Sequence, residues 1–164
     1  MCENGFIKVE LLCAKSKVAP LKVLTVPRLE LCAAVILANL AHKVKNSMRL
    51  NIETCYLWSD SSVCLCWIQT PPNTLQTFVG NRVSQIQSVT SPEQWNHVDT
   101  RDNPADVLSR GISPTKLNDC ELWWKGPRWL SFPQSDWPKP KFSRPDEIPE
   151  QKRQVCVFVI EEKE

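Results

Sequence analysis

The sequence lacks the patterns typical of zinc-binding, secreted or membrane-spanning proteins. It has eight cysteines but no CxxC pair, and its two histidines, His42 and His97, lie far apart, so no zinc-finger spacing is present. No N-terminal segment has the sustained apolar core of a secretory signal, and the longest apolar run, LCAAVILANLA, is too short to span a bilayer. Most cysteines sit inside apolar runs. We therefore expect reduced thiols in an intracellular protein, cytoplasmic or alternatively nuclear, with no membrane partner.

The chain also lacks a strong charge of one sign. Its 20 Lys and Arg residues and 18 Asp and Glu residues give a formal net charge of +2, so the total charge predicts no polyelectrolyte partner. The distribution is uneven, however, because the stretch from Lys15 to Arg49 has seven basic residues and a single acid, Glu30. Such a patch can attract phosphate, and an ordinary solvated surface is the alternative.

What the sequence does contain is an alternation of strand-like and helix-like segments. Apolar and β-branched residues predict strands at 6–15, 51–59 and 93–100. Helices are predicted at 28–45 after a Thr25 cap and Pro27, at 59–69 with Ser59 or Asp60 as cap, at 74–90, and over NPADVLSRG (103–111), ending at Gly111. This order predicts an α/β layered domain. The 28–45 helix is apolar around most of its circumference and should be largely buried.

The composition changes after Gly111. Four of the seven tryptophans and seven of the thirteen prolines follow this residue. We expect a domain over 1–112, a Trp-rich arm packed on it over 113–132, and a Pro-rich linker or tail over 133–164. Within the tail, QVCVFVI is a strand-like run with no visible partner.

Three acids are candidates for chemistry, and each has a plainer interpretation. Glu30 lies among apolar neighbours and needs a cation or hydrogen bonds if it is buried, or it is a first-turn acid favoured by the helix dipole. Asp60 ends a strand, where ligand sites form in α/β sheets, or it is an ordinary helix N-cap. Asp106 follows Asn103 at a helix start and is again explained by the helix dipole.

Together the three acids suggest a metal site. Carboxylates are hard oxygen ligands suited to Mg²⁺ or Mn²⁺. Two such ions about 4 Å apart can activate water and stabilise the leaving oxygen in phosphodiester cleavage. That chemistry needs acids from separate elements to converge on one cleft.

Four segments carry a resemblance: AKSKVAPLKVLTVPRLELCAA, LWSDSSVCLCWI, HVDTRDNPADVLSRG and LWWKGPRWL. In this order they closely resemble the RNase H region of Pao/BEL-type LTR retrotransposon polyproteins, over about residues 6–132. The resemblance implies an RNase H-like fold, a mixed five-stranded sheet flanked by helices. It also implies cleavage of the RNA strand of RNA/DNA hybrids with two Mg²⁺ ions held by four acids. By this resemblance Glu30, Asp60 and Asp106 are catalytic, metal-binding acids.

The fourth acid of that family, an Asp on its first strand, has no match here, because neither Glu3 nor Glu10 has the right context. We therefore expect an N-terminally truncated domain without its first strand or strands. Such a domain has unpaired sheet edges, weakened Mg²⁺ or Mn²⁺ binding, and weak or no endonuclease activity. The alternatives are a catalytically dead module that binds nucleic acid or protein, and a non-functional transposon fragment.

The resemblance also gives the basic segment a role. Lys15, Lys17, Lys22 and Arg28 are placed to contact the phosphates of an RNA/DNA hybrid or another nucleic acid. Reverse transcriptase and integrase parts of a polyprotein are the implied protein partners. His97 lies inside a predicted strand, so we assign it a structural role.

Overall fold

The computed structural model describes residues 2–3, 6–138, 145 and 147–153. Six helices lie in these ranges: α1 (Val26–Ser47), α2 (Ser62–Ile68), α3 (Thr77–Gln87), α4 (Ala105–Ser109), α5 (Pro114–Asn118) and α6 (Glu121–Lys125). The strands are β1 (Cys2–Glu3), β2 (Phe6–Ile7), β3 (Leu57–Ser59) and β4 (Trp95–His97). Short 3₁₀ turns lie at Pro72–Thr74, Pro92–Gln94, Thr100–Asp102, Arg128–Ser131 and Gln134–Asp136.

The strands form two separate pairs. β3 and β4 are parallel, with Leu57 opposite Trp95 and Ser59 opposite His97, whereas β1 and β2 are antiparallel. Helices and a parallel pair fit the predicted α/β class. In the described ranges each sheet has two strands, so the five-stranded sheet implied by the resemblance is not seen there. The predicted absence of the first strands stays a prediction.

The core lies between α1, α2, α3 and the β3–β4 pair. α1 contributes Leu31, Ala34 and Ala38, three buried residues that share one face at helical spacing. The expectation that this helix is largely buried was wrong, because positions such as Ala33 and Asn39 are exposed and only one stripe faces the core. Thr25 is the N-cap residue as predicted and Pro27 lies in the first turn, but the Thr25 side chain makes no capping hydrogen bond.

All three predicted strands are shorter than expected. The 6–15 segment is a strand only at Phe6–Ile7, the 51–59 segment only at Leu57–Ser59, and the 93–100 segment only at Trp95–His97. Residues 10–23 are exposed throughout. The reason is that a strand needs a hydrogen-bonding partner along its length, and pattern alone cannot supply one.

The start of α2 also differs from the prediction. Its N-cap is Ser61, whose Oγ accepts a hydrogen bond from the Cys64 backbone N–H at 3.2 Å. The Ser59 Oγ instead accepts from the Ser61 N–H at 3.2 Å. Neither Ser59 nor Asp60 is the cap, because the chain continues for one further extended residue before the helix begins.

The Trp-rich arm packs on the domain through aromatic rings. The Trp129 ring lies 5.0 Å from the Trp58 ring of β3, and its Nε1–H donates to Asp102 Oδ2 at 3.0 Å. Trp137, at the start of the predicted tail, contacts Tyr56 at 5.1 Å and Trp58 at 5.8 Å between ring centroids. These contacts bring the arm and the start of the tail against β3 and the segment before α4.

Part of the segment predicted as a tail contacts the domain. Ile148 belongs to the buried core, and Gln151 forms an antiparallel bridge with Leu75. The strand-like run QVCVFVI lies outside the described residues. Among the helices that the structure describes, none has the length and apolar character needed to cross a membrane.

Candidate functional site

The charges of two of the three predicted acids act on one buried thiol. Glu30 in α1 and Asp60 directly after β3 are both half-buried, and Cys64 in α2 is fully buried. Burial is the main cause that raises the pKa of the Cys64 thiol, and the negative charges of Glu30 and then Asp60 raise it further. Both carboxylates therefore contribute to the electrostatic environment of Cys64.

The plainer interpretations of these two acids do not hold in the structure. α1 begins at Val26 and has no acid in its first turn, so Glu30 lies beyond the turn where the helix dipole acts. Asp60 is not the N-cap of α2, since Ser61 holds that position. Local helix chemistry therefore explains neither residue, and their shared position near Cys64 is the feature that remains.

Asp106 has a different environment. Its Oδ2 lies 2.9 Å from Arg110 NH2, and its Oδ1 accepts a hydrogen bond from Ser109 Oγ at 3.3 Å. It occupies the first turn of α4, where the dipole favours an acid, and the Asn103 Oδ1 accepts the Ala105 N–H at 3.1 Å. The charge of Asp106 is also not among the causes that raise the pKa of Cys64. The helix-start interpretation is therefore sufficient for Asp106.

Asp106 also lines an open cleft of about 300 Å³ beside α4. Arg101 and Arg110 lie on this cleft together with Val107 and Ile112. The lining is thus partly basic and partly apolar, with Asp106 already paired to one of the two arginines.

The carboxylate chemistry of the three acids suits Mg²⁺ or Mn²⁺. The part of the chain that the structure describes has no group of three or more His, Cys, Asp or Glu residues placed to hold an ion. Metal binding by Glu30, Asp60 and Asp106 stays a prediction, and no reaction step is assigned to a metal.

The predicted phosphate-binding residues divide into two kinds. Lys15, Lys17 and Lys22 are exposed on the irregular segment before α1. Arg28 is instead held by Glu150: its Nε donates to Oε1 at 2.8 Å and its NH2 to Oε2 at 2.9 Å. This hydrogen bonding is the main cause that raises the pKa of Arg28. The partners are 122 residues apart in sequence, so no local signal could have indicated the pair.

His97 lies in β4, half-buried and opposite Ser59 in the parallel register. Its neighbours place it close to the strand end that precedes Asp60. Sequence analysis missed one further feature here, the Trp58–Trp129 contact. The tryptophan-rich composition after Gly111 was the available signal, but the partner ring could not be deduced from it.

Helices around a parallel strand pair, with two half-buried acids converging from α1 and a strand end, are compatible with the RNase H-like class. Residues 1–61 match the family model described as the Pao retrotransposon-like RNaseH-like domain, which confirms the predicted family over that segment. This part of the chain is similar to that family. It includes Glu30, Asp60 and the basic residues, whereas Asp106 lies beyond it. No curated protein and no solved structure matches the chain significantly.

Proposed function

We propose that this chain is a retrotransposon RNase H-like domain that binds RNA/DNA hybrids through the basic segment before α1. The observation that carries the proposal lies inside the family match. There, three exposed lysines lead directly into the helix whose Glu30 acts with Asp60 on Cys64.

The lysine contribution is electrostatic. Lys15, Lys17 and Lys22 have no acidic partner among the ion pairs of the described residues, so their charges are available to phosphates. Each phosphate contact releases counterions, which makes binding weaker as salt rises, with a slope of about 0.7–0.9 per contact on a double-logarithmic plot. We expect hybrid recognition to depend on duplex shape and 2′-hydroxyls and to show little sequence preference.

The binding test compares two charge-matched variants by fluorescence anisotropy with a labelled RNA/DNA hybrid. Lys15→Glu/Lys17→Glu should weaken binding by about tenfold or more at low salt and should reduce the salt slope by about 2. Lys43→Glu/Lys45→Glu, which changes two exposed lysines near the other end of α1 by the same charge, should have a much smaller effect. Equal losses in both variants would show that only overall charge matters, and no binding at low salt would refute the proposal.

Cleavage by this chain is proposed to be weak. The resemblance implies four acids, three are assigned in this sequence, and Asp106 is paired with Arg110. Hybrid cleavage should therefore be at or near background with Mg²⁺ or Mn²⁺ in a gel assay of the purified chain. Robust turnover that Asp60→Asn abolishes would overturn this part of the proposal and would leave the hybrid-binding result to be judged separately.

A further inference from the structure

The segment 147–153 lies in a groove that we define by Arg28 of α1, Trp67 of α2 and residues 73–76 before α3. Its backbone pairs with the groove as an added strand. The Gln76 N–H donates to the Glu150 carbonyl at 2.8 Å, and the Lys152 N–H donates to the Thr74 carbonyl at 2.8 Å. This is the hydrogen-bonding pattern by which an extended peptide adds to an edge.

One buried donor in the groove depends on this segment. Trp67 is only 1% exposed, and its Nε1–H donates to the Pro149 carbonyl at 2.6 Å. A buried indole N–H needs an acceptor, because leaving it unpaired costs its lost hydration. Directly before Pro149, Ile148 is 8% exposed and packs with the core. The groove thus offers an apolar site followed by a donor for the next carbonyl.

The third recognition element is a carboxylate site. Arg28 forms two parallel hydrogen bonds with Glu150, a geometry that selects a planar carboxylate. The Arg28 guanidinium lies 4.8 Å from the centre of the Phe78 ring, which limits its orientations. Glu150 has a φ of +63°, a backbone conformation that residues other than glycine adopt at a cost in free energy. Its contacts through both carbonyl and carboxylate hold that conformation.

The structure assigns to this groove the role of a peptide-binding site. We propose that its ligand class is an extended segment with an apolar residue, then Pro, then Glu, and that residues 148–152 of this chain occupy it as a tethered ligand. Glu147, Pro149, Gln151, Lys152 and Arg153 are exposed, so Ile148 and Glu150 anchor the segment through their side chains and the other described positions do not. A segment with few buried contacts opens locally without unfolding the domain. A free peptide of the same sequence can then replace it.

The test uses the full chain and a fluorescein-labelled peptide, EIPEQKR, which corresponds to residues 147–153. Glu150→Ala removes the carboxylate anchor of the tethered segment and leaves the groove intact. The peptide should bind this variant at least tenfold more tightly than the wild type. It should not bind Glu150→Ala/Arg28→Ala, and the matched peptide EIPQQKR, in which glutamine replaces the glutamate, should bind at least tenfold more weakly. Absence of peptide binding to a folded Glu150→Ala chain would overturn the proposal.

Hydrogen exchange of the wild type gives an independent reading if Glu150→Ala does not fold. The amides of Gln76 and Lys152, which pair across the groove, should exchange at least tenfold faster than core amides of α3 such as Val83. Exchange of these amides only together with the α3 core would show that the segment is an integral part of the fold, and the proposal would be wrong.

Discussion

Gly80 supports a prediction that runs against helix propensity. It lies in the interior of α3, where replacing glycine by alanine normally stabilises a helix by about 1 kcal/mol. Here a Cβ at position 80 would lie 2.6 Å from the Pro72 carbonyl oxygen and 3.4 Å from the Leu75 carbonyl oxygen. The closest atom belongs to the backbone of a 3₁₀ turn with a fixed proline φ, so no side-chain rotation can relieve the contact.

The magnitude follows from the two opposing effects. Inserting a methyl group into a packed site destabilises the protein by about 1–3 kcal/mol. The higher helix propensity of alanine stabilises it by about 1 kcal/mol. We therefore expect Gly80→Ala to lower the free energy of unfolding by about 1 kcal/mol, which corresponds to a fall in Tm of about 2–4 °C for a domain of this size. Movement of the Pro72 carbonyl away from the new Cβ would also displace Thr74 and Leu75, which pair with the segment 147–153.

Urea denaturation followed by far-UV circular dichroism measures this loss. Ser84→Ala is the matched control, because Ser84 is an exposed position of the same helix and has a lower helix propensity than alanine. This control should gain a few tenths of a kcal/mol. If Gly80→Ala stabilises the protein as Ser84→Ala does, then the turn at Pro72–Thr74 does not approach α3 closely, and the packing argument is wrong.

Three further predictions concern separate parts of the domain. Gly111 has a φ of +78°, and a side chain at this position would have open space around its Cβ. Gly111→Ala should therefore cost about 1 kcal/mol through backbone strain alone, measured as a lower Tm, whereas Gly111→Asn should recover part of this loss. Trp129→Phe removes the donor to Asp102 and should cost about 1 kcal/mol in urea denaturation; an unchanged midpoint would show that this bond contributes nothing. Maleimide labelling with peptide mapping at pH 8 should modify exposed Cys13 rapidly and Cys64 only on unfolding, because burial and nearby carboxylates raise the Cys64 pKa; equal rates would contradict this.

The catalytic and metal-binding roles of the candidate site residues stay predictions. Glu30 and Asp60 were chosen from an apolar helix and a strand end, and the structure places both where they act on Cys64. The sequence could not separate them from Asp106, because all three looked like ordinary residues at helix starts. The helix boundaries in the structure separated them. α1 begins at Val26, so Glu30 lies beyond its first turn, and Ser61 rather than Asp60 is the N-cap of α2. A shift of a few residues at a boundary decides whether a dipole or a cap explains an acid.

Local signals by themselves located helices α1 to α4 of this protein. Pro27 in a first turn, apolar spacing along α3 and Gly111 in a left-handed conformation depend on residues within a turn of one another, so they can be deduced from neighbours. Only the tertiary structure decided the length of the strands and the pairing of the last described segment with residues 74–76. A strand ends where its partner ends, and the partner of Arg28 is Glu150, 122 residues away. The folded backbone brings such distant residues together, and a local sequence pattern does not predict these contacts.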